Sequence, residues 1–310
     1  MRMTSMLLRS MSESHLWHSL RQSVTTMAAL LALTVLVVGA VFSPWLAPTN
    51  PFDVASLDLL NASMPPSWLP GGDFKFLLGT DAQGRDMLSA IMFGMRISLI
   101  VGLCSVALAM AIGITLGLTA GYAGGSVDAF IMRFADVQLA FPSILLALLI
   151  SGIARSTLSS QTYQASALWV VVLAIGLSTW VLFARPVRAA CMVEKTKDYV
   201  HAARLLGLGR VTILLRHILP NVLGSVLVIA TLGLGVSVLI EASLSFLGVG
   251  MPPTQPSLGT LVSSGRDYIA AGEWWMTLFP ALTVAVLVLS VNLLGDWLRD
   301  ALNPRLRLAR

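Results

Sequence analysis

Side chains able to do chemistry are few and scattered in this 310-residue chain. The four histidines, His15, His18, His201 and His217, have no carboxylate or cysteine at ligand spacing beside them, so they read as solvated or interfacial imidazoles and no metal site is expected. Cys104 lies in an apolar run and Cys191 in a basic stretch, which suits two free thiols better than a disulfide framework. There is no G-x-x-x-x-G-K-[ST] loop, and the Gly207 to Arg210 stretch lacks both the spacing and the lysine that cradle phosphates. No covalent catalysis is expected of this chain, and any nucleotide hydrolysis that serves it must happen on another.

Two polar clusters remain. Asp81, Arg85 and Asp86 sit in Leu78-Gly-Thr-Asp-Ala-Gln-Gly-Arg-Asp86, where they can fix a loop or meet a ligand; fixing the loop is the plainer role, because exposed charge pairs are common and individually weak. Further on, Asp198 is placed to cap a helix carrying Tyr199, Ala202, Ala203 and Leu206, which Gly207 and Gly209 then end. Val211, Leu214, Leu215 and Ile218 recur at i, i+3, i+4 and i+7, which predicts a second short helix, and Pro220 suits the first turn of the segment after it. This helix–Gly–helix elbow must bury an apolar stripe under the rest of the chain, in a lipid interface or in a partner's groove.

The elements that position these clusters follow from composition. Apolar residues make up 56% of the chain and charged ones 11%, with mean hydropathy +0.82. A soluble domain carries about 25% charged residues, so a soluble enzyme is excluded. The net charge of +5 is not gathered into the basic stripe that nucleic acid requires, so no nucleic-acid partner is expected. The apolar residues fall in blocks of membrane-spanning length, predicting an all-α, polytopic lipid-embedded protein with six transmembrane helices: 27–46, 97–120, 137–153, 165–183, 222–240 and 275–294. Around them lie a tail over 1–26, a loop over 47–96, a loop over 184–221 within a five-helix core over 97–294, and a tail over 295–310. The first block is too long for a signal peptide and lacks a cleavage site, so it is expected to stay as an anchor.

Orientation follows from lysine and arginine. With both termini cytoplasmic, 15 basic residues lie inside and five, Lys75, Arg85, Arg96, Arg155 and Arg266, lie outside. The spans so drawn contain no Asp, Glu, Lys or Arg; Asp136, Glu241 and Asp296 stand at their margins, Glu241 being expected to pair with Arg266 or cap a helix. Proton- or ion-driven carriers usually bury such groups. Gly113, Gly117 and Gly121 put small residues on one helix face, suited first to close packing and second to lining a path, and Gly233, Gly235 and Ser237 lighten the fifth span similarly.

Four stretches resemble one family. His201-Ala202-Ala203, then Gly207, then Leu219-Pro220 resemble the Glu-Ala-Ala loop of the membrane subunits of ABC importers, with His201 in place of the family's Glu and His217 in place of an Ile. Gly79-Thr80-Asp81 with Gly84-Arg85-Asp86, Glu241-Ala-Ser-Leu-Ser-Phe-Leu-Gly248, and Asn292-Leu-Leu-Gly-Asp296 with Pro304-Arg305 are similar to stretches of the dipeptide, oligopeptide and nickel permeases, most of all the second permease of dipeptide-type importers. The resemblance implies the ABC type I importer permease fold in a bacterial cytoplasmic (inner) membrane. It also implies a heterodimer with a homologous permease, two ATPase subunits that bind the ATP and Mg, and an extracytoplasmic substrate-binding protein. On this reading Asp198, His201, Ala202, Ala203, Gly207, Leu219 and Pro220 belong to the loop that couples to the ATPase, and this chain holds no cofactor of its own.

The substrate-binding residues are not identified by sequence. Spans without acidic or His ligands, with Cys104 as their one thiol, suit a short zwitterionic peptide better than a bare metal cation, and Asp53, Asp58, Asp73, Asp81 and Asp86 bias the entrance toward cations weakly in salt. A nickel or glutathione permease of the same family is the alternative within the class; a secondary carrier, a passive pore and a membrane scaffold are the alternatives outside it.

Overall fold

The computed structural model describes residues 20, 23–52 and 59–302, and there the apolar blocks wind into helices with no strand among the described residues. His15, His18, Asp53, Asp58, Pro304 and Arg305 lie outside them. Helix α1 covers Val24–Val41, capped by Ser23, whose hydroxyl accepts from the Thr26 amide, and α2 is the single turn Ser43–Leu46. From residue 59 the chain makes a short 3-10 turn, Leu59–Asn61, and then loops to Asp86, whose carboxylate caps the 37-residue α3, Met87–Ala123. The loop expected over 47–96 therefore ends ten residues early, and Arg96 lies inside a helix.

The third and fourth spans are each broken, the third at a proline. The block 137–153, expected as one straight helix, is a corner: α4, Gly125–Leu139, and α5, Ser143–Thr157, meet at 87° around Pro142. Proline bars the helical conformation at the residue before it, and Phe141 is where the chain turns. The block 165–183 is likewise split at Trp180 into α6, Ser160–Thr179, and α7, Val181–Glu194, which carries Pro186. Among the described residues five helical stretches are long and apolar enough to cross a membrane, 24–41, 87–123, 160–179, 210–246 and 275–301, and the α4–α5 pair makes a sixth if counted as one span.

The elbow departs from two separate short helices. After α8, Asp198–Leu205, comes α9, Arg210–Ile213, which runs through a π-helical turn, Leu214–Ile218, straight into α10, Leu219–Phe246. Pro220 has no N–H and its ring would strike the carbonyl four residues back; the widened turn before it, with the Leu219 amide reaching the Leu214 carbonyl, carries the helix past that obstacle. At 1.5 Å per residue, 37 residues span about 55 Å, well beyond a hydrocarbon core of about 30 Å. Both α3 and the continuous 210–246 helix are thus longer than a hydrocarbon core is thick. The chain closes with α11, Leu258–Arg266, and α12, Trp275–Leu302.

The glycine seam sets the centre of the bundle, where α3 makes its most extensive contact with α7. A Cβ on Gly113 would lie 2.5 Å from that of Phe183, one on Gly117 2.5 Å from the Ala184 carbonyl, and one on Gly121 2.8 Å from the Arg188 carbonyl. Three consecutive turns of one helix thus admit a neighbouring backbone, which is the packing role expected of this spacing. Around the seam Val106, Ala109, Phe183, Val187, Cys191, Ile213 and Ile218 form one buried core joining α3, α7 and the elbow.

Candidate coupling elbow, loop knot and buried carboxyl

At one end of the bundle the elbow is anchored on one face and bare on the other. Asp198 does not cap α8; Lys197 stands at the cap position without a side-chain bond, and Asp198 occupies the first turn, where its charge favours the helix dipole. Val200 and Ala203 are buried against Val187 and Cys191 in the shared core, whereas His201 and Ala202 face solvent. Gly207 has φ +77° and open space where a Cβ would stand, so backbone conformation and not crowding selects glycine there. Its amide reaches the Arg204 carbonyl and that of Leu208 the Ala203 carbonyl, the paired bonds of a Schellman ending. The turn leaves Leu205 90%, Leu206 81% and Val211 68% exposed.

A polar tie holds the elbow to the bundle. The Tyr199 hydroxyl donates to Glu194 Oε2 at 2.6 Å and accepts from Asn221 Nδ2 at 3.2 Å, while Asn221 also donates to the His217 carbonyl at 2.7 Å. Lys197 Nζ pairs with Glu194 Oε1 at 2.6 Å. Burial pushes the Tyr199 hydroxyl up to about 12, helped by the Glu194 carboxylate that accepts its hydrogen bond. Burial alone would raise Glu194, but the hydrogen bonds from Lys197 and Tyr199 outweigh it and hold the carboxyl below its ordinary value. Arg204 stacks 5.3 Å from the Tyr122 ring centroid, and Lys195 donates to the Gly121 carbonyl at 2.6 Å, so the end of α3 is bound to the elbow as well. Arg185–Asp136 and Arg188–Asp128 lock α7 to α4. Leu219 and Pro220 mark the entry to α10.

Cys191, expected in an open basic loop, is fully buried in α7 against Gly121, and burial pushes its thiol up to about 11. It is unsuited to labelling from water.

At the opposite end, the segment before α3 is a knot that spends its polar atoms on itself. Thr80 Oγ1 donates to the Asn61 carbonyl at 2.6 Å and accepts from the Met64 amide at 2.8 Å. Asp81 accepts from the Gln83 and Arg85 amides and pairs with Arg85 Nε at 2.6 Å. Asp86 stands apart from that pair, as the cap of α3. Gly79 and Gly84 take φ +81° and +77°, and a Cβ on Gly79 would also lie 2.6 Å from the Met64 carbonyl. Trp275 Nε1 donates to the Thr80 carbonyl at 3.1 Å, tying the knot to the start of α12.

Glu241, expected at a margin beside Arg266, is fully buried inside α10, and its partners are hydroxyls. Ser98 of α3 donates to Oε2 and Ser245 to Oε1, each at 2.7 Å. Those hydroxyls in turn accept from the Leu258 amide at 3.2 Å and the Met251 amide at 3.0 Å, so one carboxyl organises α3, α10, the turn between α10 and α11, and α11 itself. Arg266 instead lies over the Phe246 ring and beside Asp267.

Comparison with known proteins fits this arrangement. Residues 113–308 match the family described as binding-protein-dependent transport system inner membrane component. Residues 14–66 match the N-terminal TM domain of oligopeptide transport permease C. The chain is 41% identical over 291 residues to the di/tripeptide transport system permease protein of Pseudomonas aeruginosa (strain UCBPP-PA14), covering 94% of this chain and 91% of that protein. It is 40% identical to the dipeptide transport system permease protein of Escherichia coli (strain K12), covering 94% and 92%. It is 37% identical to the glutathione transport system permease protein of Escherichia coli O6:K15:H31 (strain 536 / UPEC), covering 94% and 90%.

The chain belongs to the binding-protein-dependent permease family.

It is therefore the multi-pass inner-membrane component of an ABC importer with the type I permease fold. Two features of this permease escaped the sequence reading. Glu241 was placed by run length at the end of a hydrophobic block, and only the packing of Ser98 from a distant helix shows it to be interior. The Glu194–Tyr199–Asn221 tie spans a glycine turn and a π turn, and no sequence periodicity links its members.

Proposed function

We propose that this permease forms half of an ATP-driven path for dipeptides and other short peptides, and that its elbow receives the force. Both termini lie in the cytoplasm, in keeping with the three-to-one basic bias, and the loop knot faces outward. A homologous permease completes the path, two ATPase subunits bind the ATP and Mg, and an extracytoplasmic binding protein delivers the substrate. The relatives' names supply the substrate class.

The observation that carries the mechanical reading is the two-faced elbow. Its inner face is fixed to α3, α7 and α10 by Val200, Ala203, Tyr199 and Arg204, while Leu205, Leu206 and Val211 stand bare on the side away from the bundle. An ATPase groove that closes around those side chains moves the whole elbow, and the anchors pass the displacement to α3 and the 37-residue helix over 210–246. No proton transfer or covalent step is needed in this chain. Replacing both Leu205 and Leu206 by Glu is expected to abolish co-purification of the ATPase while the permease still inserts. Full retention of the ATPase and of uptake would make the elbow a lipid-facing helix.

A further inference from the structure

Where α10, α11 and α12 meet, at the end of the bundle away from the elbow, lies a cavity of about 310 Å³. It is an open groove: one face of α10 supplies Leu239, Ala242, Ser243, Phe246 and Leu247, and Gly259 and Val262 of α11 and Val284 of α12 line the other side. Its lining holds no charge, and the Ser243 hydroxyl is spent on the Leu239 carbonyl at 2.7 Å. Such a volume is at the lower end of small-ligand sites.

Behind one lining residue, Phe246, stands a cation that is not itself part of the lining. Arg266, the last residue of α11, sits with its guanidinium 5.3 Å from the centroid of the Phe246 ring. Ser263 of the same helix donates to the Phe246 carbonyl at 2.8 Å, which fixes that arrangement. Among the described residues Arg266 has one carboxylate neighbour, the exposed Asp267 at 3.2 Å, which takes a single bond from Nε. The terminal nitrogens, the pair that grips a carboxylate in fork geometry, are not engaged by it. A second guanidinium, Arg155, is held on the Gly248 carbonyl beside Leu247.

We propose that this cavity is a substrate subsite that takes the apolar side chain of a peptide's carboxyl-terminal residue, with Arg266 gripping the carboxylate. The assignment rests on the peptide reading above and adds to it a preference: apolar residues are favoured at the carboxyl end. The chemistry matches part by part, an uncharged pocket for the side chain and, beside the lining Phe246 ring, a guanidinium for the terminal anion. The cavity stands at the knot end of the bundle, the end at which a delivered peptide enters.

The test measures uptake of Gly-Leu, Gly-Gly and Gly-Leu amide by cells carrying the complete transporter. Ser243→Trp, which fills the cavity, is expected to cut Gly-Leu uptake about tenfold while Gly-Gly stays within about twofold, the scale on which apolar pockets discriminate. Arg266→Gln is expected to lower both free-acid peptides about tenfold and to erase their advantage over the amide, with Arg266→Lys keeping part of it. Normal wild-type uptake with unchanged ratios in both variants overturns the subsite and leaves the peptide reading standing. Absence of any wild-type dipeptide uptake overturns both. If Ser243→Trp leaves every ratio alone but removes stabilisation of the purified protein by added anionic phospholipid, a lipid fills the cavity and the subsite is wrong.

Discussion

The glycine seam allows one substitution to be predicted with opposite signs at two places in the same protein. At Gly117 a new methyl would lie 2.5 Å from the Ala184 carbonyl and 2.9 Å from the Val187 side chain, and a backbone carbonyl cannot rotate away as a side-chain end can. Overpacking of a tight interface costs about 1–3 kcal/mol, and the seam continues at Gly113 and Gly121, so the shift cannot be absorbed locally; the upper half of that range applies. The gain in helix propensity from Gly to Ala returns about 1 kcal/mol, leaving Gly117→Ala destabilising by about 1–2 kcal/mol. Gly224, in α10, has nothing within 4 Å of its Cβ position, so Gly224→Ala keeps only the propensity gain and should stabilise by about 0.5–1 kcal/mol. Unfolding of the purified subunit in detergent, followed by tryptophan fluorescence, compares the two. Equal shifts of the same sign would refute the claim that α3 and α7 touch backbone to backbone.

Other expectations follow from single contacts. Gly207→Val should cost about 1 kcal/mol or more in the elbow, since φ +77° resists a side chain, and should reduce transport without loss of insertion; His201→Glu, on the solvent face, should leave uptake unchanged. Tyr199→Phe removes the bond to Glu194 and the acceptor of Asn221, a loss of about 1–2 kcal/mol read as faster proteolysis of the elbow. The Glu194 carboxyl lies below its ordinary value of 4.5, so its stabilising effect is complete above that pH and fades as pH falls through the lower folded value; elbow protection should hold at neutral pH and drop in acid. Glu241→Ala strands the Ser98 and Ser245 hydroxyls and should cost about 2–4 kcal/mol, whereas Glu241→Gln keeps two acceptor or donor positions and should cost less than half of that, both measured by thermal unfolding. For topology, a cysteine at Leu206 in place of the buried Cys191 should react with an impermeant maleimide in inverted vesicles and not in intact cells.

Run length carried the apolar blocks, but not their breaks, because a hydropathy window cannot see a corner made by one proline. Pro142 turns a single apolar run into two helices at 87°, and Pro220, which suggests a boundary, is instead carried through by a π turn. The elbow was legible because its punctuation is local: the αL glycine at 207 and the apolar spacing around it are set within one or two turns. The loop knot was legible as a cluster, and the structure separates its members by role, with Asp81 and Arg85 closing the turn while Asp86 caps α3. Glu241 was misplaced since its meaning lies 143 positions away, at Ser98. Arg266 and Phe246 come together only because α11 folds back against α10, a contact that nothing in the stretch between them encodes as a pattern.

The central claim is that this permease moves peptide only when an ATPase pulls on its elbow. Purified complete transporter, sealed in liposomes with its binding protein and radiolabelled dipeptide on the outer side, tests it directly when uptake is followed with ATP and with a non-hydrolysable analogue on the ATPase side. The account predicts accumulation with ATP alone, insensitive to proton and sodium ionophores, and abolished by Glu at both Leu205 and Leu206. Uptake that persists without ATP, or that collapses with an ion gradient, would contradict it.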